Sequence, residues 1–93
     1  MTSERVYFKI SGDVQGIGFR WFAQDTARDL FLTGWVRNII DGSVEGEAQG
    51  NPDKVALFLR DLKVKHGLAY VSNIETDKRQ TLKEEEFIIR PTV

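Results

Sequence analysis

The 93 residues suffice for one small hydrophobic core, and a composition of 41% hydrophobic and 29% charged residues is that of an ordinary globular domain. Thirteen Lys and Arg against fourteen Asp and Glu leave a formal net charge of −1, which excludes nucleic-acid binding over a broad basic surface but allows a local anion site. The absence of cysteine excludes a disulfide framework and a cysteine metal site. No apolar run approaches membrane-spanning length, and no signal-like segment opens the chain, so a cytoplasmic protein is expected.

Met1 to Glu4 reads as a loose terminus. From Arg5 the pattern alternates, with Val6, Phe8 and Ile10 on one face and Arg5, Tyr7, Lys9 and Ser11 on the other. That is a half-buried strand, expected to end at Gly12. Next comes Val14-Gln15-Gly16-Ile17-Gly18-Phe19-Arg20. Two glycines let a backbone fold tightly enough for several N–H groups to point at one spot. The following helix adds the positive end of its dipole, and Arg20 adds a planar fork of donors suited to phosphate or carboxylate. The stretch is not a Walker A loop, which needs Lys-Ser/Thr after the second glycine. It is not a dinucleotide fingerprint either, because Trp21 stands where the third glycine belongs. On pattern alone, a structural turn with a surface Arg remains open beside an anion loop.

A helical stripe follows: Phe19, Ala23, Ala27 and Leu30, flanked by Phe22 and Thr26. Gln24, Asp25, Arg28 and Asp29 fall on the wet side. Thr33-Gly34 is read as the helix break. Residues 34–39 and 43–50 read as a hairpin about Asp41-Gly42. A three-residue loop, Ile40-Asp41-Gly42 with Gly42 left-handed, pairs Asn38 with Val44 and Val36 with Gly46. It turns Val36, Val44 and Ala48 inward together and sets Arg37 against Glu45 outside. Asn38 then ends its strand on the inward face, where its amide either stabilises the turn or aims at a ligand.

Asn51-Pro52-Asp53 is a strong helix start, with Asn as N-cap, Pro at the first helical position and an acid in the first turn. Val55, Phe58, Leu59 and Leu62 give its apolar stripe, and Lys63, Lys65 and His66 crowd its C-terminus. The single histidine is accounted for there by the helix dipole, without catalysis, and one histidine does not make a metal site. Residues 68–77 read as a strand, with a bulge near Ser72-Asn73 because Ala69 and Val71 differ in parity from Ile74. Residues 77–86 read as an exposed charged loop, with Glu84-Glu85-Glu86 a solvated cluster. Phe87 to Arg90 is a short last strand. The order predicts a two-layer α+β sandwich, βαββαβ plus a short terminal strand, with a mostly antiparallel sheet and both helices on one face of a single domain, 1–93.

Val14-Gln15-Gly16-Ile17-Gly18-Phe19-Arg20, then Gly34-Trp35-Val36-Arg37-Asn38, then Asp41-Gly42-Ser43-Val44-Glu45 resemble the acylphosphatase family in order and spacing. The resemblance extends through Leu68-Ala69-Tyr70-Val71 and Phe87-Ile88-Ile89. It implies a ferredoxin-like fold and hydrolysis of the carboxyl–phosphate bond of acyl phosphates, with no metal or cofactor. By the same resemblance, Arg20 and the backbone N–H groups of Gln15, Gly16, Ile17, Gly18 and Phe19 hold the substrate phosphate, or inorganic phosphate and other anions. Asn38 holds the attacking water. The chain departs from its relatives at Asp13, often basic or neutral; at Ile17, more often Val; at Phe31, commonly Gly; and at Lys65-His66, usually Gly-Pro. The Phe31 change is expected to cost stability.

Two other readings compete. Gln15 to Phe22 superficially resembles the aromatic motif of RNA-recognition domains, which must lie on a strand for its rings to stack on bases. A non-catalytic anion-binding domain on the same fold is the second. A monomer is expected for so small a domain with few exposed apolar residues.

Overall fold

The computed structural model describes residues 2–93. The elements are β1 (Glu4–Asp13), α1 (Phe19–Asp29), β2 (Thr33–Asn38), β3 (Val44–Gly50), α2 (Pro52–Val64), β4 (Tyr70–Arg79) and β5 (Phe87–Ile89). Of the expected loose terminus, Met1 lies outside the described residues and Glu4 already opens β1. The sheet order is β4-β1-β3-β2-β5; every pairing is antiparallel except that of β5 with β2.

One face of the sheet carries the core. Val6, Phe8 and Ile10 of β1, Val36 of β2, and Val44 and Ala48 of β3 pack with Phe19, Ala23 and Ala27 of α1 and Val55, Phe58 and Leu62 of α2. Phe8 meets Phe58 edge-on at 5.5 Å between ring centroids, and Phe87 closes the cluster at 5.8 Å from Phe58. The hairpin adopts the expected register: Asn38 pairs with Val44 and Val36 with Gly46, and Gly42 is left-handed with φ 96°. Arg37 meets Glu45 across the outer face at 2.6 Å. The expected cap is also formed, with the Asn51 side chain accepting the Asp53 N–H. In the β1–β4 ladder Ser11 pairs with Asn73 and Gly12 with Val71, so Ser72 is the extra residue of the bulge.

Several expectations need correction. β1 does not stop at Gly12 but runs to Asp13, because β4 bulges and keeps pairing with it. Thr33-Gly34 belongs to β2; α1 is ended earlier by Leu30 and Phe31. The Leu32 N–H bonds the Ala27 carbonyl and the Phe31 N–H the Arg28 carbonyl, a Schellman pattern with Phe31 at φ 58°. Gln24 is buried rather than wet, since β5 docks beside α1 and the Phe87 carbonyl takes the Gln24 Nε2–H at 3.0 Å. β4 starts at Tyr70 and continues to Arg79, two residues beyond the expected end.

The segment after β4 is not a free loop. Leu82 exchanges two hydrogen bonds with the Gln49 side chain, and Glu84 pairs with Arg5. Arg5, on the outer face, is buried between Glu84 and Glu47. Burial pulls its pKa down, but the hydrogen bonds and charges of the two glutamates outweigh that and raise it. Trp35 is covered on the same face by the guanidinium groups of Arg37 and Arg90, 4.8 and 4.4 Å from its ring.

Candidate active site

Residues 14–18 join β1 to α1, and the loop is pinned at both ends by the buried side chains of Val14 and Phe19. Gly16 and Gly18 have φ 78° and 76°, a region costly for any residue with a Cβ. A Cβ on either would meet nothing within 4 Å, so the backbone conformation, not space, asks for glycine. Gly18 is the N-cap of α1. It supplies no side-chain cap, and no acid lies in the first turn. Among the described residues, no N–H group from Gln15 to Trp21 donates a hydrogen bond within the protein; Phe22 is the first that does, to the Gly18 carbonyl. A helix end without a cap presents unsatisfied donors and partial positive charge. Arg20, in that first turn, is half-buried and has neither an ion pair nor a hydrogen bond among the described residues.

Asn38 ends β2 on the core-facing side, half-buried, and its carboxamide makes no hydrogen bond within the described residues. A turn-stabilising role for this side chain is therefore not what the geometry gives. The turn is held instead by Asp41, whose carboxylate accepts the Ser43 N–H and Oγ–H at 2.9 and 2.6 Å and pairs with Lys9 at 3.2 Å. These donors hold the Asp41 carboxyl well below the usual range, at about 2, the Ser43 hydroxyl contributing most.

Two backbone bonds brace Asn38 from the other side, a feature the sequence did not signal. The Val93 N–H donates to the Asn38 carbonyl and the Ile40 N–H to the Val93 carbonyl. The loop and the hairpin are joined by Gln15, whose Nε2 donates to the carbonyls of Ile39 and Ser43. The expected role of Gln15 is confined to its backbone N–H; the one sign of a role for its side chain is that it is long and polar in an otherwise small and apolar loop.

His66 is neither simply exposed nor placed by charge alone. Its ring packs 5.2 Å from Phe22 and 5.9 Å from Phe19. Nδ1 accepts the Leu68 N–H, so Nε2 carries the proton and donates to the Ile17 carbonyl at 3.1 Å. His66 thus fastens the back of the loop. Asp13 is exposed, pairs with Tyr70 in the β1–β4 ladder and has no ion pair among the described residues.

The RNA-recognition reading fails on geometry. Phe19 to Phe22 open a helix, and Phe19 lies in the core. No group of His, Asp and Glu among the described residues is arranged to hold a metal ion. A hollow of about 710 Å³ lined by Gly34, Lys83, Glu84, Glu85, Glu86 and Ile88 shares no residue with the loop, and its carboxylates disfavour an anion.

The family model for acylphosphatase matches residues 6–89. The acylphosphatase of Methanospirillum hungatei is 40% identical over 88 residues, covering 94% of this chain and 97% of that one. Among solved structures, an acylphosphatase from Coxiella burnetii aligns with a TM-score of 0.90 at 32% identity, over 95% of this chain and 93% of the other. The acylphosphatase of Bacillus subtilis aligns with a TM-score of 0.88 at 32% identity, over 94% and 98%.

Proposed function

The chain belongs to the acylphosphatase family and hydrolyses the carboxyl–phosphate bond of acyl phosphates, and from that premise we propose how its residues carry the reaction. The N–H groups of Gln15, Gly16, Ile17, Gly18 and Phe19 and the guanidinium of Arg20 hold the phosphoryl group. The carboxamide of Asn38 orients the attacking water. The observation that supports this most is the run of unpartnered N–H groups ending at an unpaired Arg20, joined through Gln15 to the hairpin that carries Asn38.

The chemistry asks for little more. An acyl phosphate is a mixed anhydride, and its leaving group is a carboxylate whose acid has a pKa of roughly 4–5, so no general acid is required. Water attacks phosphorus, the bond from phosphorus to the acyl oxygen breaks, and carboxylate and phosphate are released. The demands are to spread charge on the phosphoryl oxygens and to place water in line with the leaving oxygen. Backbone amides and one guanidinium meet the first. A carboxamide meets the second, accepting from water without taking its proton. The proton passes to a phosphate oxygen of the substrate or to bulk water. We read the reaction as independent of metal and cofactor.

The test is release of carboxylate and phosphate from benzoyl phosphate with EDTA present, for wild type and Asn38→Ala in parallel. Metal-independent turnover that falls ~100–1000-fold in the folded variant supports the assignment. Full turnover in the variant removes Asn38 from the mechanism, and phosphate binding without turnover in the wild type overturns the whole account. We take residues 1–93 as a single domain acting as a cytoplasmic monomer without nucleic-acid partners. No helix among the described residues is long and apolar enough to cross a membrane.

A further inference from the structure

We infer that the Gln15 side chain is a positioning residue that sets the span between the phosphate loop and Asn38. The inference rests on the site proposed above and deepens it, since that site uses only the backbone of Gln15. Nε2 lies 2.7 Å from the Ile39 carbonyl oxygen and 2.8 Å from that of Ser43. A primary amide has two N–H bonds, so each carbonyl receives one and the donor capacity is filled. Chemistry fixes the orientation of the amide, because Oε1 in the same place would face two oxygens.

Both acceptors belong to the base of the hairpin loop. Ile39 follows Asn38 directly, and the Ser43 carbonyl also accepts the Ile39 N–H at 2.9 Å, the bond that closes the loop. Gln15 therefore grips the hairpin on both sides, where Asn38 leaves the strand. The ladder between β1 and β3 ends at Ile10 and Val44, short of both loops. Among the described residues, no other side-chain hydrogen bond joins residues 14–18 to residues 39–43.

In-line attack places phosphorus on one segment and the water on the other. A misplacement of about 1 Å costs on the order of 100-fold in rate, so the span between them is a kinetic quantity. Removing the Gln15 side chain leaves its backbone N–H in the loop and Arg20 untouched. The loss should fall on kcat, while binding of phosphate stays.

The test is a cycle of wild type, Gln15→Ala, Asn38→Ala and the double variant, with benzoyl phosphate turnover and competitive inhibition by inorganic phosphate as readouts. Gln15→Ala is expected to lose about 10–100-fold in kcat. Its inhibition constant for phosphate is expected to stay within about threefold, and in the Asn38→Ala background the same change is expected to cost under about threefold, because the residue it positions is already gone. Gln15→Met, which keeps length without donors, is expected to behave as Gln15→Ala and serves if the alanine variant does not fold. In the wild type the Gln15 amide protons should exchange slowly with solvent. Losses that multiply in the double variant, a loss confined to KM and phosphate affinity, or near-wild-type kcat in both Gln15 variants would overturn the inference. Full activity of Asn38→Ala would overturn the underlying site as well, and is distinguishable because it appears without any change at Gln15.

Discussion

Phe31→Gly should stabilise the protein without touching catalysis. Phe31 sits at the residue after the α1 C-cap with φ 58°, and its side chain is 90% exposed. Both hydrogen bonds of the Schellman pattern are already made, from Phe31 to Arg28 and from Leu32 to Ala27, so glycine adds no contact. What it removes is the clash between a Cβ and the backbone, which costs about 1–2 kcal/mol in the left-handed region. Against this stands the greater freedom of glycine in the unfolded chain, about 0.5–1 kcal/mol. The net gain is about 1 kcal/mol, which for a domain of this size raises Tm by about 4–8 °C. Thermal and urea unfolding followed by far-UV circular dichroism read it directly. Phe31→Ala is the control, because it discards the exposed ring but keeps the Cβ, and it should change stability by less than about 0.5 kcal/mol. The loop lies at the other end of α1, whose 11 residues span roughly 16 Å, so kcat should not move. Loss of stability in Phe31→Gly, or an equal gain in Phe31→Ala, would refute the argument from backbone strain.

Three other outcomes are expected. Arg20→Ala should lose at least ~100-fold in kcat/KM with an unchanged dichroism spectrum, since it removes the unpaired cation of the loop; turnover near wild type would take Arg20 out of the site. Arg5→Met should destabilise by about 2–4 kcal/mol, because it leaves Glu47 and Glu84, each under a fifth exposed, without their cation. Proteolysis should then reach residues 80–86 first, and unchanged protection there would contradict the anchoring role of Glu84. Asp41 ionises at about 2 in the folded chain, below its unfolded value, so its contribution is complete above the unfolded pKa of about 4 and is lost as pH falls through 2. Protection factors across residues 39–43, taken relative to the exchange of an unprotected amide at each pH, should fall between pH 4 and 2 in the wild type and show no such step in Asp41→Asn.

What the sequence disclosed was local or carried by parity. The hairpin register followed because one loop length alone placed Val36, Val44 and Ala48 inside together and Arg37 opposite Glu45 outside. The Asn51 cap and the stripe from Val55 to Leu62 are likewise written into consecutive residues. The loop from Val14 to Arg20 stood out through its glycines and its single charge, and Asn38 through a polar end to an inward face. What remained hidden depends on which elements meet. Gln24 is polar at a helical position that reads as wet, and only the docking of β5 brings the Phe87 carbonyl to it. Arg5 alternates with the core and reads as solvated until residues 80–86 return across the sheet. The Gln15 and His66 hydrogen bonds reach carbonyls 24, 28 and 49 residues away, and carbonyls carry no mark in the sequence.

Asp13 tests whether the site works by short-range donors or by its general field. The net charge of −1 gives a dianionic substrate no long-range welcome, and Asp13, exposed one residue before the loop, opposes it. At a separation on the order of 8 Å in a water-like dielectric, one unit charge against another costs about 0.5 kcal/mol, hence about 1 kcal/mol against a dianion. The Debye length at 0.15 M salt is about 8 Å, so most of that cost is screened at physiological ionic strength. Asp13→Asn should therefore lower KM by about two- to fivefold at 10 mM salt and by less than about twofold at 0.15 M. Its kcat should be unchanged if, as proposed, the loop amides and Arg20 are the groups that hold the phosphoryl group, since donors in direct contact are not screened. A change in kcat, or a KM effect that persists at high salt, would mean that Asp13 reaches the bound phosphate directly.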